Sequence, residues 1–326
     1  MKNALILGVT GQDGSYLAQF LLKKGYNVSG TFRRTSHKCF ERVEELGIFE
    51  NITKIKADVS DDTSIRSAIR QSEPDEIYNL AAQSFVGASF QQPVLTADVT
   101  GLGTLRVLNA IREISPDAKF YQASSSEMFG SSPGKKDETS VFKPRSPYGA
   151  AKVFAHHITN HYREAYDLFA CCGILFNHES PLRGIEFVTR QITYRLARIK
   201  YNRQKKFSLG NIHAKRDWGF AGDYVEAMWA MLQQKTPDDY VIATGESHSV
   251  EEFLTLATQY ADLGDWKNIV TVDESLLRPS DIDELIGDPT KAQNVLNWKS
   301  KMTFNDLVKS MVEHDLEYIK LQTEPF

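Results

Sequence analysis

Two side chains spaced four residues apart, Tyr148 and Lys152, could together remove a proton from an alcohol. Residues at this spacing share one face of a helix, and an ammonium group beside a phenol favours the phenolate, lowering its pKa from about 10 toward neutrality. Ser125, within the segment QASSSE at 122–127, could hydrogen-bond the same substrate oxygen. The pattern predicts a tyrosine base that acts while hydride leaves the same carbon for a nicotinamide. Tyr-x-x-x-Lys also arises often by chance, and an ordinary helix surface is the alternative.

The first 34 residues could hold the dinucleotide for such a transfer. Gly8, Gly11 and Gly14 form a G-x-x-G-x-x-G run between an apolar strand, residues 4–7, and an amphipathic helix. The first two glycines let the backbone turn tightly and approach a pyrophosphate, the third lets the helix lie close to the sheet, and the helix N-terminus offers free N–H groups. A lone glycine triplet is also typical of a flexible turn. The order strand, turn, helix, second strand favours dinucleotide binding.

The end of the second strand indicates which dinucleotide is bound. NAD sites usually place an acidic residue there, on the ribose 2′-hydroxyl. This chain has Arg33 and Arg34 followed by Thr35 and Ser36, a set that suits a 2′-phosphate. The sequence therefore predicts NADP, with a solvated basic strand end as the alternative. Asp58, at the end of the third predicted strand, is placed to meet the adenine end.

Composition narrows the class of protein. The chain has 326 residues, a net charge of −4 and 25% charged residues, with Lys and Arg scattered rather than clustered, so nucleic-acid binding is not expected. We also expect no membrane association, because no apolar run approaches the roughly 20 residues needed to span a bilayer, and no signal-peptide pattern opens the sequence. The cysteines are Cys39, Cys171 and Cys172; their odd number and lack of ligand spacing predict reduced thiols in the cytoplasm and no metal site.

Strands alternate with helices through the first half of the chain. Predicted strands after the second one are residues 52–59, 75–82, 119–123 and 168–176, and predicted helices are residues 65–71, 95–114 and a long helix from about residue 147. Nearly continuous apolar strands in this order predict an α/β fold with a doubly wound parallel sheet, a Rossmann domain, buried on both faces.

The alternation of strands and helices stops near residue 177. We predict an NADP-binding Rossmann domain over 1–176, with 217–246 packing back on it, and a smaller mixed α/β substrate lobe formed by 177–216 and 247–326. The basic run between Arg190 and Lys206 fits an anionic substrate opposite the cofactor, or equally a charged helix surface.

Nearly the whole chain resembles the extended short-chain dehydrogenase/reductases that act on nucleotide sugars, and among them the GDP-mannose 4,6-dehydratase family. The similar segments are GVTGQDGSYLAQFLL (8–22), FRRTS (32–36), NLAAQSFVGASF (79–90), TADVTGLGTLRVL (96–108), SSSEMFG (124–130), PRSPYGAAK (144–152), FNHESPLRG (176–184), FVTRQI (187–192), GNIHAKRDWG (210–219), VIATGESHSVEEF (241–253) and RPSDIDELIGDPTKA (278–292). FNHESP and AKRDWG are more specific than the glycines or Tyr-x-x-x-Lys.

The resemblance implies a dehydratase cycle in which NADP is reduced and restored. Tyr148, aided by Lys152 and Ser125, would deprotonate the sugar 4-hydroxyl during oxidation at C4. Glu127 would then remove the C5 proton made acidic by the 4-ketone, the 6-hydroxyl would leave as water, and hydride would return to C6. Glu127 separates this reading from a nucleotide-sugar 4-reductase or epimerase, which needs no base there; a loop carboxylate facing solvent is the other interpretation of Glu127.

Further site residues follow from matching positions in the family. Those expected to bind the cofactor, besides Tyr148 and Lys152, are Gly8, Thr10, Gly11, Gln12, Asp13, Gly14, Arg33, Arg34, Ser36, Asp58, Val59, Leu80, Ala81, Ala82, Ser84, His178 and Arg183. Those expected to bind the GDP-sugar substrate are Ser84, Ser125, Ser126, Glu127, Asn177, Lys215, Arg216 and Arg278, where a salt-bridge role is the alternative for the basic residues. The loop after Arg34 would reach a neighbouring subunit's cofactor, which implies a homotetramer, or a dimer at least.

Several positions depart from the family pattern. Ser125 stands in place of the usual Thr and keeps the hydroxyl, Leu95 stands where a cofactor-contacting Tyr is expected, and Leu182 replaces the first of two arginines. These changes leave the expected reaction type as it is, but the resemblance determines the sugar of the substrate less closely. GDP-mannose is the expected substrate, and GDP-N-acetylglucosamine and a GDP-heptose are the alternatives.

Overall fold

The computed structural model describes residues 1–277, 280 and 282–322. The strands are β1 Asn3–Leu7, β2 Asn27–Phe32, β3 Thr53–Lys56, β4 Glu76–Asn79, β5 Lys119–Ser125, β6 Ala170–Leu175, β7 Asn177–Glu179, β8 Phe207–Leu209, β9 Lys215–Arg216, β10 Trp218–Phe220, β11 Asp239–Ile242, β12 His248–Ser249, β13 Val270–Val272 and β14 Glu284–Leu285. The helices are α1 Gln12–Lys23, α2 Glu41–Glu45, α3 Asp62–Ser72, α4 Val86–Gln91, α5 Pro93–Thr96, α6 Gly103–Ile114, α7 Pro147–Tyr166, α8 Val188–Lys200, α9 Ala221–Leu232, α10 Val250–Tyr260, α11 Thr290–Leu296 and α12 Phe304–Leu321.

Seven strands form one parallel sheet in the order β11-β6-β5-β4-β1-β2-β3. The chain winds from β1 outward to β3 on one side and then from β4 outward on the other, so the winding direction reverses between β1 and β4. Ligands of such sheets bind beyond the carboxyl ends of the strands at this reversal. The predicted doubly wound α/β fold is confirmed.

Both faces of the sheet are covered by helices, as the apolar strands require. On one face α1 and α9 pack through Leu17, Leu21 and Met228, and on the other α3 and α6 pack through Ile65 and Val107. Each of these five side chains is fully buried. Burial on both sides holds the strand ends, and hence the loops that follow them, in fixed positions.

Two predicted elements differ from those observed near the reversal point. Strand β5 runs two residues past Ala123, because Ser124 and Ser125 pair with Ile174 and Leu175 of β6. Ser125 is therefore placed by the sheet itself rather than by a loop.

The long helix predicted before β5 is interrupted by a π-helical stretch, Ala97–Leu102, between α5 and α6. Gly101 in this stretch lies against α7, where a Cβ would be 3.3 Å from the Phe154 ring. Thr100 accepts a hydrogen bond through Oγ1 from the backbone N–H of Gln83 at 3.2 Å. The stretch thus contacts both the loop after β4 and the helix that carries Tyr148.

The second half of the chain contributes to both parts of the molecule. Strand β11 joins the large sheet by pairing in parallel with β6. Helices α8, α10 and α12, with strands β8, β10 and β13, surround a separate apolar cluster that includes Ile192, Leu196, Phe253 and Met311. In the part of the chain that the structure describes, no helix has the length and apolar character needed to cross a membrane.

Candidate active site

A cavity of about 450 Å³ lies beyond the carboxyl ends of the central strands. Its walls come from the turn after β1, the loop after β4, the end of β5, the start of α7 and the β7 strand, and from residues 208–214, next to the second apolar cluster. It therefore spans the place where the two parts of the chain meet.

The glycine turn forms one end of this cavity. Gly8 has a φ of +90°, a left-handed conformation that favours glycine. A Cβ on Gly14 would lie 2.3 Å from the Gly8 carbonyl oxygen and 2.7 Å from the Val9 Cα, so only glycine allows α1 to approach the turn this closely. Gly11 caps α1 without a side-chain hydrogen bond, which leaves the first N–H groups of the helix for an anion. This arrangement fits a dinucleotide diphosphate.

An ion pair joins the glycine turn to β7. His178 donates through Nε2 to the Asp13 carboxylate at 2.8 Å and through Nδ1 to the Phe176 carbonyl at 2.7 Å. Because both acceptors lack hydrogens, the imidazole carries two protons. Burial opposes this charge, but Asp13 raises the pKa of His178 above its usual value. Burial likewise opposes ionisation of Asp13, and His178 nevertheless lowers the pKa of that carboxyl to about 2.

Tyr148 and Lys152 face the cavity from one side of α7, and both are buried. The Lys152 ammonium donates to the Ala123 carbonyl at 2.5 Å and lies 5.7 Å from the centre of the Tyr148 ring. Burial lowers the pKa of Lys152 to about 8. Burial raises the pKa of Tyr148 to about 12, although a hydrogen bond with Ser125 opposes the rise. In the chain by itself the pKa of Tyr148 thus moves in the direction opposite to the predicted one, because the loss of hydration on burial outweighs the hydrogen bond with Ser125.

Glu127 lines the same cavity, two residues beyond the end of β5. It lies in a short 3₁₀ turn, Ser126–Met128, and its backbone N–H donates to the Ser125 hydroxyl at 3.3 Å. A glycine permits the approach of α7, because a Cβ on Gly149 would lie 2.8 Å from the Glu127 carbonyl oxygen. A tyrosine, a lysine, a serine hydroxyl and a carboxylate thus surround one volume.

The cavity brings together most of the residues predicted for the site. Predicted residues in its wall are Gly8, Gly11, Gln12, Asp13, Gly14, Leu80, Ala82, Ser84, Ser125, Ser126, Glu127, Tyr148, Lys152, Asn177, His178, Arg183 and Arg216. Predicted residues that the structure describes outside this wall are Thr10, Arg33, Arg34, Ser36, Asp58, Val59, Ala81 and Lys215. Arg278 lies outside the described residues.

Among the predicted residues outside the wall, the environments differ. Arg33 and Arg34 follow β2 and are exposed, whereas the Val59 side chain is buried in the core between the sheet and α6. Lys215 is exposed, whereas its neighbour Arg216, which lines the cavity, is buried. The prediction for Lys215 as a phosphate ligand stays a prediction.

Two residues that shape the site are absent from the predicted set. Arg42 donates through Nε to the Leu182 carbonyl at 2.6 Å and through Nη1 to the Thr10 carbonyl at 3.1 Å, which ties the glycine turn to the segment before Arg183. Glu179 is buried and forms an ion pair with Arg183 at 3.1 Å. Arg42 lies outside the quoted family segments and its partners are distant in the sequence, whereas Glu179 lies in FNHESPLRG, four residues before Arg183.

The basic run from Arg190 includes a residue with a structural role. Arg190 forms a buried ion pair with Asp315 of α12, with Nη2 2.8 Å from Oδ1, and donates to the carbonyls of Pro181 and Arg183. Its charge is therefore already paired within the protein, and it holds the segment that carries Arg183 into the cavity.

Comparison with known proteins shows which proteins this chain is similar to. A family model described as GDP-mannose 4,6 dehydratase matches residues 5–311. GDP-mannose 4,6 dehydratase 2 of Arabidopsis thaliana is 55% identical over 98% of this chain and 88% of its own length, and the Homo sapiens GDP-mannose 4,6 dehydratase is 48% identical over 97% and 92%. The crystal structure of a Bacillus anthracis dTDP-glucose 4,6-dehydratase in complex with NAD has a TM-score of 0.85 and 20% identity, covering 98% of each chain; that likeness concerns the fold alone.

Proposed function

The chain belongs to the GDP-mannose 4,6-dehydratase family, and from that premise we propose that it converts GDP-mannose to GDP-4-keto-6-deoxymannose with NADP recycled in each turnover. The single observation that carries the proposal is the shared cavity: the Glu127 carboxylate lines the same volume as Ser125, Tyr148 and Lys152. A redox step needs the last three, and only an elimination also needs the carboxylate.

The residues of the glycine turn fit the cofactor, since Gly8, Gly11 and Gly14 leave room and free N–H groups for its diphosphate. We propose that Arg33 and Arg34 select NADP over NAD, because both guanidinium groups are exposed at the end of β2 and suit a 2′-phosphate. A bound NADP⁺ supplies the hydride acceptor and donor and, through its cationic nicotinamide ring, a positive charge that favours the Tyr148 phenolate.

Tyr148 acts first, as the base for the sugar 4-hydroxyl. Ser125, which hydrogen-bonds Tyr148, would hydrogen-bond the same sugar oxygen and hold it beside Tyr148, so that the proton can pass to the tyrosine oxygen when C4 becomes a ketone. Lys152, anchored on the Ala123 carbonyl, keeps its positive charge close to the phenolate. These three side chains together take up the proton of the 4-hydroxyl while C4 gives its hydride to the cofactor.

Glu127 acts on the 4-keto sugar. The ketone makes the C5 hydrogen acidic, the carboxylate takes that proton, and the same proton leaves with the 6-hydroxyl as water. When hydride returns to C6, C5 takes up one proton. This uptake balances the proton that Tyr148 removed from the 4-hydroxyl. The substrate thus loses one water with no net change in oxidation state.

A Glu127→Gln variant tests the proposal. With stoichiometric NADP⁺ and GDP-mannose, we expect absorbance of reduced cofactor to appear while almost no water is lost from the sugar, since C4 is oxidised but C5 keeps its proton. Glu186→Gln, which changes an exposed carboxylate that also lines the cavity and for which we propose no role, serves as the matched control and should retain water loss. Undiminished dehydration by the Glu127 variant would remove this residue from the mechanism.

We also propose that the protein works in the cytoplasm as a homotetramer, with the exposed loop after Arg34 reaching a neighbouring copy. Light scattering of the purified protein gives the mass directly. A monomer of 36.8 kDa would contradict this part of the proposal.

A further inference from the structure

A row of polar side chains runs along the inner face of α7 beneath the cavity. Tyr148, Lys152, His156 and Asn160 follow one another at intervals of four residues, and residues so spaced lie one above the other on a helix. Tyr148, Lys152 and His156 are 8%, 4% and 4% exposed. The first two belong to the proposed mechanism, whereas His156 is a buried titratable group that this mechanism does not use.

The contacts of His156 fix its protonation. The Asn160 side-chain nitrogen donates to Asp239 Oδ2 at 2.9 Å and lies 3.3 Å from His156 Nε2. Because a carboxylate only accepts hydrogen bonds, this nitrogen is the amide donor, and Nε2 accepts its second hydrogen. Nδ1 then carries the ring proton and donates to the Ser124 hydroxyl at 3.1 Å. Burial lowers the pKa of His156 to about 4, in keeping with a neutral ring.

The charged neighbours of His156 leave this arrangement intact. Asp239 Oδ2 lies 3.5 Å from Nε2, but Asp239 also forms an ion pair with Arg163, so its charge is already paired. The Cys172 thiol donates to the Asn160 side-chain oxygen at 3.6 Å. His156 thus lies between two sets of partners. At the sheet edge are Asn160 and Asp239, whose polar groups are paired with each other, and on the cavity side is Ser124.

Ser124 occupies a particular position at the end of β5. The preceding carbonyl, of Ala123, accepts from Lys152, and the following side chain, Ser125, hydrogen-bonds Tyr148. The hydrogen bond from His156 therefore reaches Ser124, the residue between the contact of Lys152 with Ala123 and the contact of Tyr148 with Ser125. We propose that His156 is a positioning residue for the dehydratase reaction, acting through Ser124 to fix the end of β5 against α7.

This inference rests on the proposed function, and a double-mutant cycle tests it. The variants are His156→Phe, which keeps an aromatic ring beside Phe142 (5.1 Å between ring centres), Ser124→Ala, and the two combined. We expect each single change to lower kcat for GDP-mannose dehydration about tenfold, the loss of one buried hydrogen bond, with KM unchanged. Because the two groups act through one contact, the combined variant should be no slower than either single variant.

Controls separate positioning from a loss of folding. His157→Phe changes an exposed histidine on the same helix and should leave kcat unchanged, while His156→Gln, which can still donate to Ser124, should recover part of the rate. Additive losses, or a normal kcat in Ser124→Ala, would overturn the proposal.

A second measurement keeps this test independent of the proposed reaction. Hydrogen exchange of residues 119–125 should be faster in His156→Phe and in Ser124→Ala than in the wild type and His157→Phe, whatever the substrate is. Unchanged exchange in this segment would refute the positioning role, whereas faster exchange in a protein that dehydrates no GDP-sugar would refute only the proposed function.

Discussion

The ion pair between Asp13 and His178 gives a quantitative prediction for Asp13→Asn. This pair joins α1 to β7 across the cavity, and its side chains are only 22% and 12% exposed. The Tyr224 ring stacks on the imidazole with 4.8 Å between ring centres. Replacing the carboxylate by an amide keeps the shape and leaves the histidine without its counter-charge.

The pKa of Asp13 sets the magnitude. Its fall from the usual 3.8 to about 2 is close to two pH units, and at ~1.4 kcal/mol per unit the ionised carboxylate contributes about 2 kcal/mol to the free energy of unfolding. Because the pKa of Asp13 is depressed, this contribution is present above pH 3.8 and is lost as pH falls through about 2. Because the pKa of His178 is raised, its share is complete below pH 6.5 and is lost as pH rises through the higher folded value. The pair is therefore fully effective between about pH 4 and 6.5.

Urea unfolding of the wild type and Asp13→Asn at pH 5.5 and at a series of higher pH values measures this effect. We expect the variant to be less stable by about 2 kcal/mol at pH 5.5, and by less as the pH rises through the raised pKa of His178 and the imidazole loses its charge. In the wild type, NMR titration should give His178 a pKa above 6.5, and in the variant a lower one. A stability difference that does not fall as the pH passes the His178 pKa found in this titration would refute the ion pair as its cause.

Further predictions concern cofactor choice, the second lobe and the position of the base. Arg33→Ala should weaken NADP binding at least tenfold while leaving NAD binding unchanged, because a guanidinium–phosphate contact is worth about 2 kcal/mol. Fluorescence titration with both dinucleotides measures the two affinities. Equal losses of affinity for NADP and NAD would contradict the 2′-phosphate contact. Asp315→Asn should cost about 3–5 kcal/mol of unfolding free energy by leaving the Arg190 charge buried and unpaired, and denaturant unfolding that shows less than 1 kcal/mol would contradict that reasoning. Gly149→Ala should lower kcat and destabilise the protein by about 1–3 kcal/mol, because the Cβ of the alanine would meet the Glu127 carbonyl oxygen. Unchanged kinetics and thermal stability would show that the turn that carries Glu127 can move away.

The elements close to the glycine run could be predicted from the sequence because they depend on local rules. The Gly8 turn, the amphipathic α1 and the apolar strands follow from backbone sterics and periodicity, and together they predict the sheet. The Tyr148 and Lys152 pair could be found for the same reason, since a spacing of four residues is a property of one helix.

Other features of the site depend on where distant segments meet. The raised pKa of Tyr148 results from burial by several elements, so spacing within α7 alone gave the wrong direction. Arg42 and His156 each act through partners 32 residues away in the sequence, and no short motif records such a contact. A residue pattern can indicate which groups do chemistry more readily than it can indicate what holds them in place.

Product analysis by mass spectrometry and NMR tests the central claim most directly. The purified protein would be incubated, without added reductant, with GDP-mannose, GDP-N-acetylglucosamine, a GDP-heptose, and UDP- and CDP-hexose controls. We predict that GDP-mannose loses one water with no net change in NADPH. Water loss only from another GDP-sugar would keep the mechanism and change the substrate. No water loss from any of them would contradict the dehydratase assignment and favour a reductase or epimerase.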